Sequence, residues 1–250
     1  MSKGLHKLPR KYKIVGIIVI LLVLYLIFNA KNKPETFTNT ESPQNKNEEK
    51  TPLSISITGK EIKEENFIAT YPVISGSGLL VEEANKYVTK TIEAFKVEAN
   101  KDVPGIREKF KEDIQYEIEI QAQEVEGTQT RSIIISTSTY TGGANTNQVY
   151  KVITASHEPE SILFLSDLVK KENQSAFTQL VKKELKNKGE DVFAEEVDDL
   201  QFNSFTNWSL DNKNLTIYFD KYQIAPGALG PVAFPLSLIK VKNLLNPEFI

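Results

Sequence analysis

Ile14 to Phe28, IVGIIVILLVLYLIF, form a run without a single charge, and basic residues stand on both sides of it. No other stretch of the chain limits its possible folds as much. Counted to Ala30 the run has 17 residues, the lower end of what crosses about 30 Å of hydrocarbon as a helix. Lys13 and Lys31 can carry their charges to the two interfaces and extend the usable length. Lys3, Lys7, Arg10, Lys11 and Lys13 precede the run, whereas only Lys31 and Lys33 follow closely. That asymmetry predicts a single-pass membrane protein with a cytoplasmic tail (residues 1–13), a transmembrane anchor (14–30) and residues 31–250 outside the cytoplasm. A cleaved signal peptide is the competing reading. Its basic start fits, but Phe28-Asn29-Ala30-Lys31 makes a poor cleavage site.

Residues 31–52 are almost entirely Asn, Lys, Glu, Thr, Ser, Pro and Gln, with Phe37 the one large apolar side chain. Such a segment cannot bury enough surface to offset its ordering entropy, which predicts a disordered linker. The remaining residues, 53–250, suffice for one large or two small domains. Residues 1–52 hold 9 of the 30 basic and 4 of the 33 acidic residues, so the rest carries 21 against 29, a net charge of −8. An acidic surface argues against nucleic acid and against anionic wall polymers as main ligands, and it suits a cationic protein partner. With no cysteine in the chain, stability must come from packing rather than disulfides.

Hydrophobic periodicity divides 53–250 into two halves of similar rhythm. Phe67 to Val73 reads as a strand closed by the turn Ser75-Gly76-Ser77-Gly78. Leu80, Ala84, Tyr87, Val88, Ile92 and Phe95 then recur at helical spacing, predicting a helix that ends before Pro104-Gly105. Tyr116, Ile118, Ile120 and Ala122 alternate with Glu117, Glu119, Gln121 and Gln123, the pattern of a half-solvated antiparallel strand. Ser132 to Tyr140 and Gln148 to Ala155 supply two more strands. Beyond the turn at His157, a helix is predicted from Ser175 to Asn187 with Gly189 as its stop. A hairpin should pair Phe205–Leu210 with Leu215–Asp220, and Pro235 should open a terminal helix over 236–245. Each half is then a helix laid on antiparallel strands, an α+β class.

Signatures of catalysis are sparse. His157 is the one histidine outside the anchor and tail, and it sits in a predicted exposed turn. One histidine and no cysteine cannot assemble the usual zinc sets, so no metal or other cofactor is expected. The acids Glu195, Glu196, Asp198 and Asp199 read as a solvated loop, because glycosidase carboxylates must face each other across a cleft. Two glycine-bearing loops stand out instead. One is Tyr140-Thr141-Gly142-Gly143-Ala144-Asn145, and the other runs from Tyr222 through Pro226 to Gly230 and Pro231. Paired glycines allow close backbone approach, and the adjacent tyrosines suit either packing or the face of a sugar.

The Tyr140–Asn145 loop, the Phe164-Leu-Ser-Asp-Leu168 segment and Tyr222-Gln-Ile-Ala-Pro226 with Gly230 resemble a family of exported domains. That family forms the C-terminal part of the lysozyme-sensing anti-sigma factor RsiV. The match covers nearly all of residues 53–250: residues 156–250 are assigned to the RsiV-like domain, and residues 53–155 resemble the N-terminal domain of the peptidoglycan deacetylase PdaC. Three departures matter. The usual histidine after Gly-Gly-Ala is Asn145 here, the 13-residue tail is too short for a sigma-binding domain, and the zinc histidines of a deacetylase have no counterparts.

The resemblance implies an extracytoplasmic binding module recognising peptidoglycan fragments or a cationic envelope protein such as a lysozyme. Tyr140, Gly142, Gly143, Asn145, Tyr222, Pro226 and Gly230 are its candidate ligand-binding residues. The alternatives are a wall-glycan enzyme using the acids at 195–199 and a scaffold that docks a membrane partner through residues 14–30.

Overall fold

The computed structural model describes residues 54–188 and 191–250. The expected tail, anchor and linker, and the helix stop at Gly189, lie outside them. Among the described residues no helix is long and apolar enough to cross a membrane. Residues 51–250 group as one compact unit.

Its first sheet runs β1 (Ser56–Lys63), β2 (Phe67–Ser75), β3 (Tyr116–Glu126), β4 (Thr130–Tyr140), β5 (Asn147–Ser156) and β6 (Ile162–Leu163), in that spatial order. Every neighbouring pair is antiparallel except β2 and β3, which run parallel. This corrects the purely antiparallel expectation. The cause is helix α1 (Leu79–Phe110), which carries the chain back over the sheet between β2 and β3, and a crossover of that length returns a strand parallel. α1 buries Leu80, Ala84, Val88, Ile92, Phe95 and Ala99 against Phe67, Tyr116, Ile118, Ile133 and Ile135. Each large side chain so buried is worth about 1.5–3 kcal/mol relative to exposure.

α1 also runs past the expected stop at Pro104. Proline removes one backbone donor, but the turn beyond it is held from outside. Arg107 donates to the carbonyls of Ile114 (2.9 Å) and Glu65 (2.7 Å) and to Asn66 Oδ1 (3.2 Å). Lys111, at φ 54°, then ends the helix. At the other end Gly78 has no side chain to cap the first turn. Glu160, from the loop after β5, does so instead, accepting from the backbone N–H groups of Leu79 (2.8 Å) and Leu80 (3.2 Å).

The second half contains α2 (Leu165–Leu168), α3 (Gln174–Lys186), α4 (Ala194–Asp199) and a three-stranded antiparallel sheet of β7 (Trp208–Leu210), β8 (Asn214–Phe219) and β9 (Val232–Ser237). α5 (Leu238–Val241) follows directly. The expected helix from Pro235 is therefore corrected. Phe234 and Leu236 point into the core while Ala233 and Pro235 are exposed, an alternation that continues the strand. Because β9 pairs only with β8, a proline is tolerated on this edge. The acids expected in a loop occupy the single turn and a half of α4. This core is built from rings: Phe177 meets Phe202 and Phe205 edge-on at 6.0 and 5.9 Å, and Phe205 meets Phe219 at 6.4 Å.

The halves join along the outer edge of β5, of which β6 covers only Thr154 and Ala155. Asn207 takes a strand's place beside the rest. Its Oδ1 accepts from Val152 N–H and its Nδ2 donates to Tyr150 O, both at 3.0 Å. Asp220 Oδ1 accepts from Tyr150 N–H at 2.7 Å, and Lys221 N–H donates to Gln148 O at 3.0 Å. Side chains and one loop amide thus satisfy an edge that would otherwise invite pairing.

Candidate functional site

The face of the first sheet turned away from α1 is polar where the second half leaves it uncovered. Register places Gln121 of β3 opposite Ser136 of β4 and Ser136 opposite Tyr150 of β5. The next row is Glu119, Ser138 and Gln148. These two rows floor a groove whose lobes measure about 180 and 390 Å³ and share Gln121, Ser136 and Tyr150. Pro231, Tyr218 and Ala233, from β8, β9 and the loop between them, form its wall.

Amide and hydroxyl side chains offer donors and acceptors together, as a polyhydroxylated ligand requires. Tyr150 and Tyr218 meet edge-on at 5.1 Å, and Tyr218 Oη is within 2.9 Å of Ser209 Oγ. Burial pushes both phenols above their ordinary value, so both keep their protons. Among the described residues no three metal-ligating side chains cluster.

The two glycine-bearing loops come together at the end of this groove, and Lys221 is the link. Its N–H holds Gln148, and its ammonium donates to Thr146 O at 2.7 Å, just beyond the first loop. Gly230 lies against the Gln148 side chain, and Pro231 enters the groove. The expected site residues themselves border the groove without lining it. Tyr140 is half-buried at the end of β4, and Gly143 and Asn145 are exposed beyond it. Gly142, at φ 88°, lies so close to Ile114 that a Cβ would overlap it. Pro226 opens the 3-10 turn Gly227–Leu229.

Tyr222 is the most unusual of them. It is 54% exposed yet holds a left-handed backbone at φ 71°, costly for a bulky residue. Its ring rests on Gly227, where no side chain would fit, and Lys221 Nζ stands 5.2 Å from the ring centroid.

His157 is half-buried rather than exposed, and its Nε2 lies 3.0 Å from Glu126 Oε1, off the line of a hydrogen bond. Asp198 on α4 is 2.5 Å from Lys186 Nζ. None of the four acids of α4 lines the groove. Gln121, Ser136, Gln148, Tyr150 and Tyr218 were not singled out from sequence. The available signal was the polar side of the alternation at 117–123, continued by Ser136 and Ser138 once the strands are in register.

Residues 166–238 match the model of a family described as "Protein of unknown function (DUF3298)". No curated protein matches the chain. Two crystal structures of DUF3298-family proteins are similar in fold. The one from Bacteroides fragilis is 15% identical with a TM-score of 0.57, covering 79% of this chain and 95% of its own. That from Pseudomonas aeruginosa is 17% identical, also at 0.57, covering 80% and 97%. The chain therefore carries a DUF3298 domain at residues 166–238, within a fold shared by structures of that family.

Proposed function

We propose that this chain is a membrane-anchored, extracytoplasmic module that binds cell-wall glycan along the groove floored by Gln121, Ser136 and Tyr150. The observation that carries the reading is this amide- and hydroxyl-lined groove together with an exposed tyrosine, Tyr222, held in a costly backbone conformation next to Lys221, whose N–H bonds Gln148 of the groove. The uncharged run at 14–28 and the resemblance to the exported domains of RsiV and PdaC support an envelope location. The groove supplies binding chemistry, and the reading assigns no catalytic residue.

Retention of residues 51–250 on insoluble peptidoglycan sacculi tests it. Saturable binding at near-physiological salt, competed by soluble wall fragments, is the expected result. Tyr222→Ala should weaken retention about tenfold or more while changing stability by less than about 1 kcal/mol. No retention at any protein concentration rejects the glycan. The net charge of −8 then directs the next titration to a cationic wall-degrading enzyme such as a lysozyme.

A further inference from the structure

A second cleft, of about 450 Å³, opens between the outer edge of β5, β6 and the segment 202–208. It shares no residue with the polar groove. Its chemistry is more apolar: Leu163, Phe202, Phe205 and Trp208 form its floor. Phe164 stands at its rim with 69% of its surface exposed, although its neighbour Leu165 is buried. Apolar surface of this kind marks an interaction site more often than an isolated exposed side chain does.

One end of the cleft is cationic. A hollow of about 400 Å³ adjoins it through Lys151, Ile153 and Ile162, and brings in Glu83, Lys86 and Lys90 from α1. Glu83 is 2.8 Å from Lys86 and accounts for that charge. Lys90 and Lys151 have no ion-pair partner among the described residues. An apolar trough ending at two unpaired ammonium groups fits a molecule with the same polarity. Both volumes fall within the roughly 300–1,000 Å³ of small-molecule sites.

From this arrangement we infer a binding site for an anionic amphiphile, with its hydrocarbon chain over Leu163, Phe202 and Trp208 and its acidic head at Lys151 and Lys90. The shared chemistry is an acyl chain on a carboxylate or phosphate, whether free or part of a bilayer lipid. The inference is independent of the glycan reading, because retention on sacculi can fail without affecting this cleft.

Trp208 provides the measurement. It is the one tryptophan of the chain and lies against the cleft, so its emission responds to what fills it. The full chain in phosphatidylcholine vesicles would be titrated with decanoate, with decanol as the uncharged control. The site predicts a saturable emission change with decanoate, and half-saturation at least about tenfold higher for decanol. Lys90→Glu, on the exposed face of α1, should weaken decanoate by a similar factor, and Lys151→Glu should do the same. Lys90→Glu keeps the test decisive if the change on β5 disturbs folding. Absence of a saturable change, or equal responses from decanoate, decanol and the variants, overturns the site. A second arm replaces decanoate with phosphatidylglycerol in the vesicles. The same emission change there assigns the ligand to the bilayer, and its absence assigns it to a free amphiphile.

Discussion

The two halves of this unit reach a closed core by different routes. The first spreads its burial over long regular elements: a 32-residue helix contributes seven aliphatic side chains and one ring, Phe95, to a broad sheet. Its aromatic contacts are few, with Phe95 meeting Phe67 at 6.3 Å and Tyr116 at 6.2 Å. The second has strands of three and six residues and helices of four to thirteen. Short elements cannot bring many side chains to one place by periodicity. It concentrates burial in large rings instead, with Phe177, Phe205, Phe219 and Trp208 all no more than 2% exposed. Long elements distribute stability, whereas short ones rest it on a few residues.

Substitution of one ring in each core would test that contrast most severely. Phe205→Ala should cost about 3–5 kcal/mol in a denaturant melt. Phe95→Ala should lie at the lower end of the same range, because the long helix that carries it can relax along its length. Equal losses would remove the distinction. A smaller effect is expected at the joint between the halves. Asn207→Ala deletes both bonds to β5 and leaves partly buried backbone groups unmatched, at a cost of about 1–2 kcal/mol. Hydrogen exchange should then accelerate at Val152, whose N–H loses its acceptor, before it does in the centre of the sheet.

Smaller again is the cap on α1. Glu160→Ala removes the acceptor for Leu79 and Leu80, and should cost about 0.5–2 kcal/mol, with fraying confined to the first turn. Last comes alkaline pH. Burial raises Tyr116, Tyr150 and Tyr218 above their ordinary value of 10.0, so the unfolded chain loses these protons first. Stability should hold below about pH 10 and fall as pH rises from there toward the folded values. Tyr150→Phe should reduce that dependence, as measured by melts across the window.

How far the chain could be read from sequence follows the same division. The alternation at 116–123 and the helical spacing from Leu80 to Phe95 identified elements whose side chains repeat often enough to average out exceptions. The end of α1 was not legible, because Arg107 holds the last turn through contacts with residues about forty positions earlier in the chain. β1 was not recognised either. It is an edge strand with mostly exposed side chains, so it carries no clean apolar period. Near Pro235, local helix-start chemistry competed with the burial of Phe234 and Leu236, and tertiary packing decided. The groove was invisible for a related reason. Gln121, Ser136 and Tyr150 become neighbours only through strand register, whereas the two loops announced themselves by glycine and tyrosine in short stretches.

The bonds from Asn207 and Asp220 to β5 also bear on how the chain is made. Synthesis completes β5 at Ser156, but Asn207 emerges 51 residues later. At about 5–20 residues per second that interval lasts roughly 3–10 s. During it, the backbone groups of Gln148, Tyr150 and Val152 face outward with no partner from their own chain. A nascent first half is therefore a template for stray strands until Asn207 is made, and at Gln148 and the Tyr150 N–H until Asp220 and Lys221 follow, so physical isolation from its own copies matters over that interval.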